Sequence, residues 1–286
     1  MIIVFFSLLI IFVGLFALSK GKYTEYIEPL NKKDYPFKDI IPVGLYLLDK
    51  VSYKYGTDYD RRLLTKVAEI SGHKYAHYYL QIHWATKLVN VLLGALLVSL
   101  IGISQEVSLG FGAFALFIIG MTFSLSDSQL NDKIKKRHLQ IQLDFPDFLN
   151  KLTLLINAGM TVTRAWEKIV INNTKENPLY DELAIVIADI RSGKPEVQAY
   201  EDFAKRCRMS EISRFVSVIV QNLRKGSNEL VSILRLQANE CWEMRKHAAK
   251  RIGEEASTKM LFPMMIMFLA ILIIVAVPAI LSLQGI

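Results

Sequence analysis

Cysteine is scarce in this sequence, and the short motifs that bind nucleotides or catalytic metals are absent. Only Cys207 and Cys241 are present, and they form no C-x-x-C pair, so we expect small core residues rather than a disulfide or a metal site. Neither Gly-Lys pair belongs to a G-x-x-x-x-G-K-[ST] loop, and no G-x-S-x-G or H-E-x-x-H motif occurs. The sequence therefore predicts a protein with no catalytic residues, no cofactor and no ATP hydrolysis of its own.

Lysine and arginine are missing from residues 1–19, 88–126 and 260–286, and all 34 of them lie in the two segments between. The net charge of +7 is thus separated from the apolar runs, which argues against a soluble nucleic-acid-binding protein. A membrane-spanning helix needs roughly 17–25 apolar residues. Four runs meet or approach this length: Ile2–Leu18, Leu88–Ile103, Val107–Leu125 and Met260–Leu283. We predict four transmembrane helices, of which the second is short and relies on Lys87 extending to the membrane interface.

The two basic segments indicate the topology in the cytoplasmic membrane. Basic residues are retained on the cytoplasmic side, so both segments are predicted to be cytoplasmic and both termini to lie outside. The lysines follow the first apolar run, which favours a retained anchor over a cleaved signal peptide. The four runs contain no ionisable side chain, so no proton pathway is expected. The predicted domains are transmembrane helix 1 (1–19), a cytoplasmic helical segment (20–87), a transmembrane hairpin (88–126), a cytoplasmic helical domain (127–259) and transmembrane helix 4 (260–286).

The longer basic segment carries helical patterns throughout. Apolar residues recur at three- and four-residue spacing in 145–156 and in later runs, and Asn177 followed by proline is a helix-start signal. From Asn228 no strong helix breaker occurs before Pro263, so one long helix is expected to enter the fourth span. Pro263 and Pro278 are candidate kinks in that span. The predicted fold is an all-α membrane protein with a cytoplasmic antiparallel helical bundle.

An internal repeat is also predicted in this segment. Three helices are expected to end at a glycine that suits the left-handed position after a helix: Gly159, Gly193 and Gly226. The sixth and seventh residues after each glycine are a small residue and a large one: Ala165 and Trp166, Ala199 and Tyr200, Ser232 and Ile233. The spacing predicts a repeated helix–glycine–helix unit with close packing at the small residue. The alternative is that any helical bundle shows such spacing.

A histidine pair offers one candidate metal site. His73 and His77 are four residues apart and can share a helix face, which is a spacing that binds zinc. No third and fourth ligand lie nearby in the sequence, and the tyrosine-rich context is typical of a membrane interface. We therefore expect no metal here, and interfacial packing instead.

Basic residues cluster beside the third and fourth predicted spans. The clusters are Lys133, Lys135, Lys136 and Arg137 after the third, and Arg245, Lys246, Lys250 and Arg251 before the fourth. Anionic lipid headgroups attract such residues by about 1 kcal/mol each. An acidic protein partner is the alternative that the sequence leaves open.

Three segments resemble one protein family. FPDFLNKLTLLINAGMTVTRAW (145–166) resembles the opening of the type II secretion F domain, with a leucine-rich helix, a glycine, and an alanine six residues later. GSNELVSIL (226–234) resembles the second hairpin of that domain, and RKHAAKRIGEEASTKMLFP (245–263) resembles its basic helix entering the last span. Their order is most similar to the tight-adherence (Flp-type) pilus branch, and the resemblance covers roughly residues 140–283.

The resemblance implies a non-enzymatic platform protein of a type IV filament or type II secretion-like machine, with a bundle of the F-domain kind. Such a protein would couple a separate cytoplasmic ATPase to the assembly of pilin or pseudopilin subunits. A second platform paralogue, membrane lipids and further copies of the chain are the other implied partners, with no nucleic acid. Two alternatives stay open: a metal-dependent membrane enzyme that uses His73 and His77, and a transporter subunit.

Overall fold

The protein is helical, and its chain divides into two compact units. A computed structural model describes residues 2–31, 35, 37–104, 109–174, 177–225 and 229–283, and every regular element in these ranges is a helix. Unit 1 comprises Met1–Arg137 and unit 2 comprises His138–Ile286. The boundary falls inside one long helix, which contributes residues to both units.

Four helices are long and apolar enough to cross a membrane, as predicted. They are α1 (Ile2–Ser19), α5 (Ala76–Ile101), α6 (Leu109–Asn157) and α11 (Leu230–Leu283). Helices α6 and α11 contain 49 and 54 residues, whereas a span needs only roughly 20. Each of these two helices therefore continues well beyond the length that a bilayer can accommodate.

Unit 1 is built around α5. A single helical turn, α2 (Thr24–Ile27), and a 3-10 turn (Lys38–Ile40) precede α3 (Ile41–Val51), and α4 (Asp58–Ser71) is followed by a second 3-10 turn (His73–Tyr75). Both α3 and α4 pack on α5, and α1 packs on α3 and α5. A third 3-10 turn, Gly102–Ser104, follows α5.

Close backbone approach explains two glycines of unit 1. A Cβ added to Gly44 on α3 would lie 2.7 Å from the Cα and the carbonyl carbon of Ala85 on α5, and closer still to its carbonyl oxygen. A Cβ added to Gly94 on α5 would lie 2.8 Å from the side chain of Thr122 on α6. Both helix pairs therefore touch at distances that only glycine permits.

Local capping fixes the start of two helices. Thr57 and Asp60 form a reciprocal capping box at the start of α4, in which each side chain accepts a hydrogen bond from the other's backbone N–H. The Asn177 side chain accepts a hydrogen bond from the N–H of Leu179, and Pro178 is the first residue of α8. The helix start predicted at Asn177 is confirmed.

Unit 2 is a bundle of consecutive helices. After the end of α6 come α7 (Val162–Ile171), α8 (Pro178–Arg191), α9 (Glu196–Cys207), α10 (Ser210–Lys225) and then α11. Each helix from α7 onward packs against the next one along the chain. One apolar core joins all of them and includes both cysteines, which are free thiols.

Helix α11 leaves the bundle before it reaches its apolar end. Leu234 and Ala248 are buried in unit 2, but every residue from 249 to 275 is exposed. The first part of this exposed stretch is charged, and the part that starts at Met260 is apolar. The predicted continuous helix from the bundle into the fourth span is therefore confirmed.

Candidate functional site

Two of the three predicted turn glycines lie in the described residues, and both adopt the left-handed conformation. Gly159 follows α6 with φ of +91°, and Gly193 follows α8 with φ of +93°. L-residues with a side chain rarely adopt these angles, which accounts for glycine at both positions. Gly226 lies outside the described residues.

The first two predicted packing pairs lie in the centre of unit 2. Ala165, Trp166, Ala199 and Tyr200 are all fully buried. The Trp166 ring centroid is 5.0 Å from that of Tyr200, and the indole N–H donates a hydrogen bond of 3.2 Å to the carbonyl oxygen of Leu183. Burial raises the pKa of Tyr200 to about 12. The two helix–glycine–helix units therefore meet at one aromatic cluster.

The third predicted pair differs from the prediction. Ser232 and Ile233 are exposed on α11, whereas Leu230, Leu234 and Ala238 are the buried residues of this helix. The buried face of α11 is set by its packing on α10 rather than by the distance from a preceding glycine. Ser232 and Ile233 are not packing positions within this chain.

The basic cluster on α11 is largely neutralised by its own helix. Lys246 pairs with Glu243 at 2.7 Å. The pairs Lys250–Glu254 and Arg251–Glu255, at 3.7 and 3.9 Å, follow one turn later. The Arg245 guanidinium lies 4.9 Å from the ring centroid of Trp242. Such exposed pairs contribute only about 0.2–1 kcal/mol each, so they remain available for exchange with another partner.

The basic cluster on α6 belongs to unit 1. The Lys133 ammonium lies 5.0 Å from the ring centroid of Tyr35. Lys135 and Lys136 are exposed, and Arg137 is half-buried. The cluster therefore presents at least three cations on one turn of helix.

A surface cleft on unit 2 was not predicted from the sequence. It has a volume of about 490 Å³ and lies along the turn between α6 and α7. Its lining comprises Gly159, Met160, Thr161, Arg164, Glu167, Lys168, Ile171 and Asn172, and we call it the α7 cleft. Arg164 and Lys168 are exposed cations in this cleft, and Ile171 is 66% exposed beside them. Glu167 is paired with Arg191, so the net character of the cleft is basic and apolar.

A buried ion pair in unit 1 was also missed. Lys87 on α5 is 0% exposed, and its ammonium lies 2.8 Å from Asp127 Oδ2 on α6. It donates a second hydrogen bond of 2.5 Å to the Tyr59 hydroxyl, and it lies 3.9 Å from the ring centroid of Phe123. The Lys87 side chain is therefore enclosed by protein groups and is not exposed at the surface, which differs from the predicted extension to the membrane interface.

Asp127 gathers three donors from two helices. Besides Lys87, it accepts hydrogen bonds from the Tyr59 hydroxyl at 2.7 Å and from His83 Nε2 at 3.0 Å. We call Tyr59, His83, Lys87 and Asp127 the unit 1 polar network. A buried charge is tolerated only when it is paired and hydrogen-bonded, and the network meets this condition. Lys87 and Asp127 are 40 residues apart in the sequence, so the pair could not be predicted without knowing that α5 packs against α6.

A second carboxylate anchors α4 beside this network. Asp60 is buried and accepts hydrogen bonds from the Thr57 hydroxyl at 2.7 Å, the Trp84 indole N–H at 2.8 Å and the Tyr53 hydroxyl at 3.0 Å. Burial alone raises the pKa of Asp60, but the hydrogen bonds from Thr57, Trp84 and Tyr53 together outweigh it and hold this pKa below its ordinary value. The carboxylate is therefore ionised at neutral pH and ties α4 to α5.

The remaining predicted sites are dispersed. His77 is exposed, and the side chain of His73 lies outside the described residues. Among the described side chains, no three His, Cys, Asp or Glu residues are grouped as ligands of one metal ion. Pro263 and Pro278 both lie inside α11.

The comparison with known families assigns one part of the chain. Residues 148–278 match the model of the family described as type II secretion system (T2SS), protein F. The matched part begins in α6 and ends in α11, so it contains the α7 cleft, the aromatic cluster and most of the fourth apolar segment. No curated protein and no solved structure matches the chain. The predicted resemblance to the F domain is confirmed, and its tight-adherence branch stays a prediction.

Proposed function

We propose that this protein is a non-enzymatic membrane platform of a type IV filament machine of the tight-adherence kind or of a type II secretion-like machine. It couples a separate cytoplasmic ATPase to the assembly of pilin or pseudopilin subunits, together with a second platform paralogue and as an oligomer. The match of residues 148–278 to the protein F family carries this proposal. The lack of a phosphate-binding loop supports an ATPase on another chain.

The proposed location is the cytoplasmic membrane, with unit 2 on the cytoplasmic side. The distribution of charge supports this topology, because all 34 Lys and Arg residues lie outside the four apolar runs. Two predicted spans separate the two basic segments, so both segments lie on the same side of the membrane. Cysteine-accessibility labelling at Lys50 and Gln198, which are both exposed, tests the topology, and labelling of these two positions from opposite faces contradicts it.

The α7 cleft is the proposed contact for the cytoplasmic partner. Its two exposed cations carry no ion pair with any described residue, in contrast to the self-paired cations of α11. Ile171, which is 66% exposed, adds an apolar side chain beside these two cations. An acidic surface with an apolar centre on the ATPase would complement both features.

A photo-crosslinking experiment in cells tests the proposal. A photoreactive residue at Lys168 is expected to capture the assembly ATPase, identified by mass spectrometry. The double variant Arg164→Glu/Lys168→Glu is expected to abolish surface filaments or secretion while the protein stays in the membrane. Arg235→Glu is the matched control, because Arg235 is an exposed arginine of unit 2 outside this cleft.

Two results would count against the function itself. The first is normal filament assembly and secretion in a strain that lacks this protein. The second is a crosslink from Lys168 to proteins that have no part in filament assembly or secretion. Genes adjacent to this one provide a further check, since a secretion ATPase and a platform paralogue are expected there.

A further inference from the structure

Unit 1 contains a small cavity that is lined by both apolar and polar side chains. It has a volume of about 120 Å³ and lies between α4, α5, α6 and the residues that lead into α3. Its apolar lining includes Phe37, Ile41 and Leu130. The space is equivalent to about four water molecules at about 30 Å³ each, which is also the scale of a small polyol.

A second group of lining side chains is polar, and we call this group the polar wall. His83, Thr86 and Asn90 line the cavity from one face of α5, and Ser126 lines it from α6. Asn90 Nδ2 donates a hydrogen bond of 3.0 Å to Ser126 Oγ, and the Thr86 hydroxyl donates to the carbonyl oxygen of Ile82. His83 uses Nε2 to reach the carboxylate of the unit 1 polar network.

These bonds leave specific hydrogen-bonding capacity. Within the described residues, the Ser126 hydroxyl proton, Asn90 Oδ1 and His83 Nδ1 have no partner. The wall therefore offers donors and acceptors side by side, and a purely apolar occupant would leave them unsatisfied at a cost. A polyol satisfies such a wall, because each of its hydroxyl groups both donates and accepts.

A cation completes the cavity. Lys133 lines it from α6, two helical turns beyond Ser126. The second and third apolar runs begin at Leu88 and end at Leu125, so the cavity lies at one end of both. Phosphate groups of a bilayer lie at this level, where lysine side chains meet them.

We propose that this cavity binds the phosphoglycerol headgroup of phosphatidylglycerol, whose glycerol carries free hydroxyl groups. The phosphate contacts Lys133, and the glycerol hydroxyl groups hydrogen-bond to Asn90, Ser126 and His83. The same chemistry is present in free glycerol 3-phosphate, and the experiment separates the two sources. The proposal is independent of the function proposed above.

The test uses the purified full-length chain in bilayer discs. The discs contain equal amounts of phosphatidylglycerol and phosphatidylcholine with identical acyl chains, and native mass spectrometry counts the lipids retained after release. Phosphatidylglycerol is expected to be retained in preference. Lys133→Gln is expected to reduce this preference about fivefold, the effect of one cation near the membrane surface. Lys135→Gln, two residues further along the same helix and outside the cavity lining, is the matched control and should leave the preference unchanged.

A second variant removes the polar wall. Asn90→Leu/Ser126→Ala deletes both partners of one hydrogen bond, so no orphaned polar group remains and the fold should persist. It is expected to reduce the retention of phosphatidylglycerol about tenfold, through the loss of two hydrogen bonds to the headgroup. Thermal unfolding of both variants checks that the protein is folded, and Lys133→Gln retains its diagnostic value if the double variant does not fold.

The soluble arm adds glycerol 3-phosphate to the protein in detergent. If it raises the unfolding temperature of the wild type but not of Lys133→Gln, while no lipid is preferred, the cavity binds the free compound and the lipid assignment is overturned. Equal retention of both lipids with no response to glycerol 3-phosphate overturns the glycerophosphate site altogether. An equal loss in Lys133→Gln and Lys135→Gln also overturns it, because that result indicates diffuse attraction to the membrane surface.

Discussion

The Lys87–Asp127 pair makes an unusual prediction about stability. Removing the carboxylate by Asp127→Asn leaves the ammonium of Lys87 fully buried without a counter-charge, with only neutral acceptors such as the Tyr59 hydroxyl and aromatic rings around it. Breaking a buried pair in this way costs about 3–5 kcal/mol. Removing the lysine by Lys87→Met is expected to cost less, about 2 kcal/mol, because Asp127 keeps two donors and is 29% exposed.

The double variant provides the decisive comparison. In Lys87→Met/Asp127→Asn neither charge is left, the methionine fills the volume of the lysine stem, and the asparagine oxygen still accepts from Tyr59 or His83. The double variant is therefore expected to be more stable than Asp127→Asn alone, by about 2 kcal/mol. Lys50→Met, at an exposed position on α3, is the control and should change stability by less than about 0.5 kcal/mol.

Hydrogen exchange of the purified full-length chain measures these effects. Peptides that cover α4 and the first half of α5 report the free energy of opening around the network. The reasoning is refuted if Asp127→Asn exchanges like the wild type, or if the double variant loses as much protection as both single variants combined. Peptides from α8 and α9 provide the internal reference.

Three further predictions concern packing and charge elsewhere. Gly44→Ala should destabilise unit 1 by about 2 kcal/mol or more in a thermal unfolding assay, because the added methyl group meets backbone atoms of α5. Gly120 has open space around it, so Gly120→Ala should be neutral or stabilising in the same assay. Trp166→Ala should lower the free energy of unfolding of unit 2 by about 3–5 kcal/mol in chemical denaturation, whereas Ile233→Ala should lower it by under about 0.5 kcal/mol. Equal losses of stability would mean that Ile233 is a packing position after all. The hydrogen bond from Lys194 lowers the pKa of Asp202. The stabilisation by this carboxylate is therefore present above the ordinary carboxyl pKa and is lost as the pH falls through the lowered value. Asp202→Asn should remove this acid-dependent loss of stability, measured by denaturation at a series of pH values.

Features that depend on neighbouring residues in the chain were predictable from the sequence. The start of α8 follows from Asn177 and the proline after it, and the turns at Gly159 and Gly193 have the backbone angles that glycine alone adopts easily. The ion pair Lys250–Glu254 is also local, since a residue and the fourth one after it share a helix face. Its acidic partner was readable from the sequence, although the basic cluster was interpreted without it.

Features that depend on which helices meet were not predictable. The contact between Lys87 and Asp127 arises from the pairing of α5 with α6, and neither residue has a residue of opposite charge within four positions in the sequence. The error at Ser232 and Ile233 has the same origin. A glycine defines where a helix ends, but it does not define which face of the next helix is buried, because that depends on the helix packed against it.

The exposed stretch of α11 helps to decide between the two interpretations of its basic cluster, which are attraction to lipid headgroups and binding of an acidic protein. Between residue 249 and Lys259 nothing in unit 2 covers the helix, so its stability in water depends on pairs within the helix such as Lys250–Glu254 and Arg251–Glu255. From Met260 the same helix is apolar on all sides, which is typical of a segment surrounded by lipid. The acidic residues therefore stabilise the helix, and the basic residues of the same pairs remain close to the membrane surface, where exchange of a glutamate for a lipid phosphate costs little. For this reason lipid attraction, rather than protein binding, is the better explanation of the α11 cluster, and the cations of the α7 cleft are the better candidates for a protein partner.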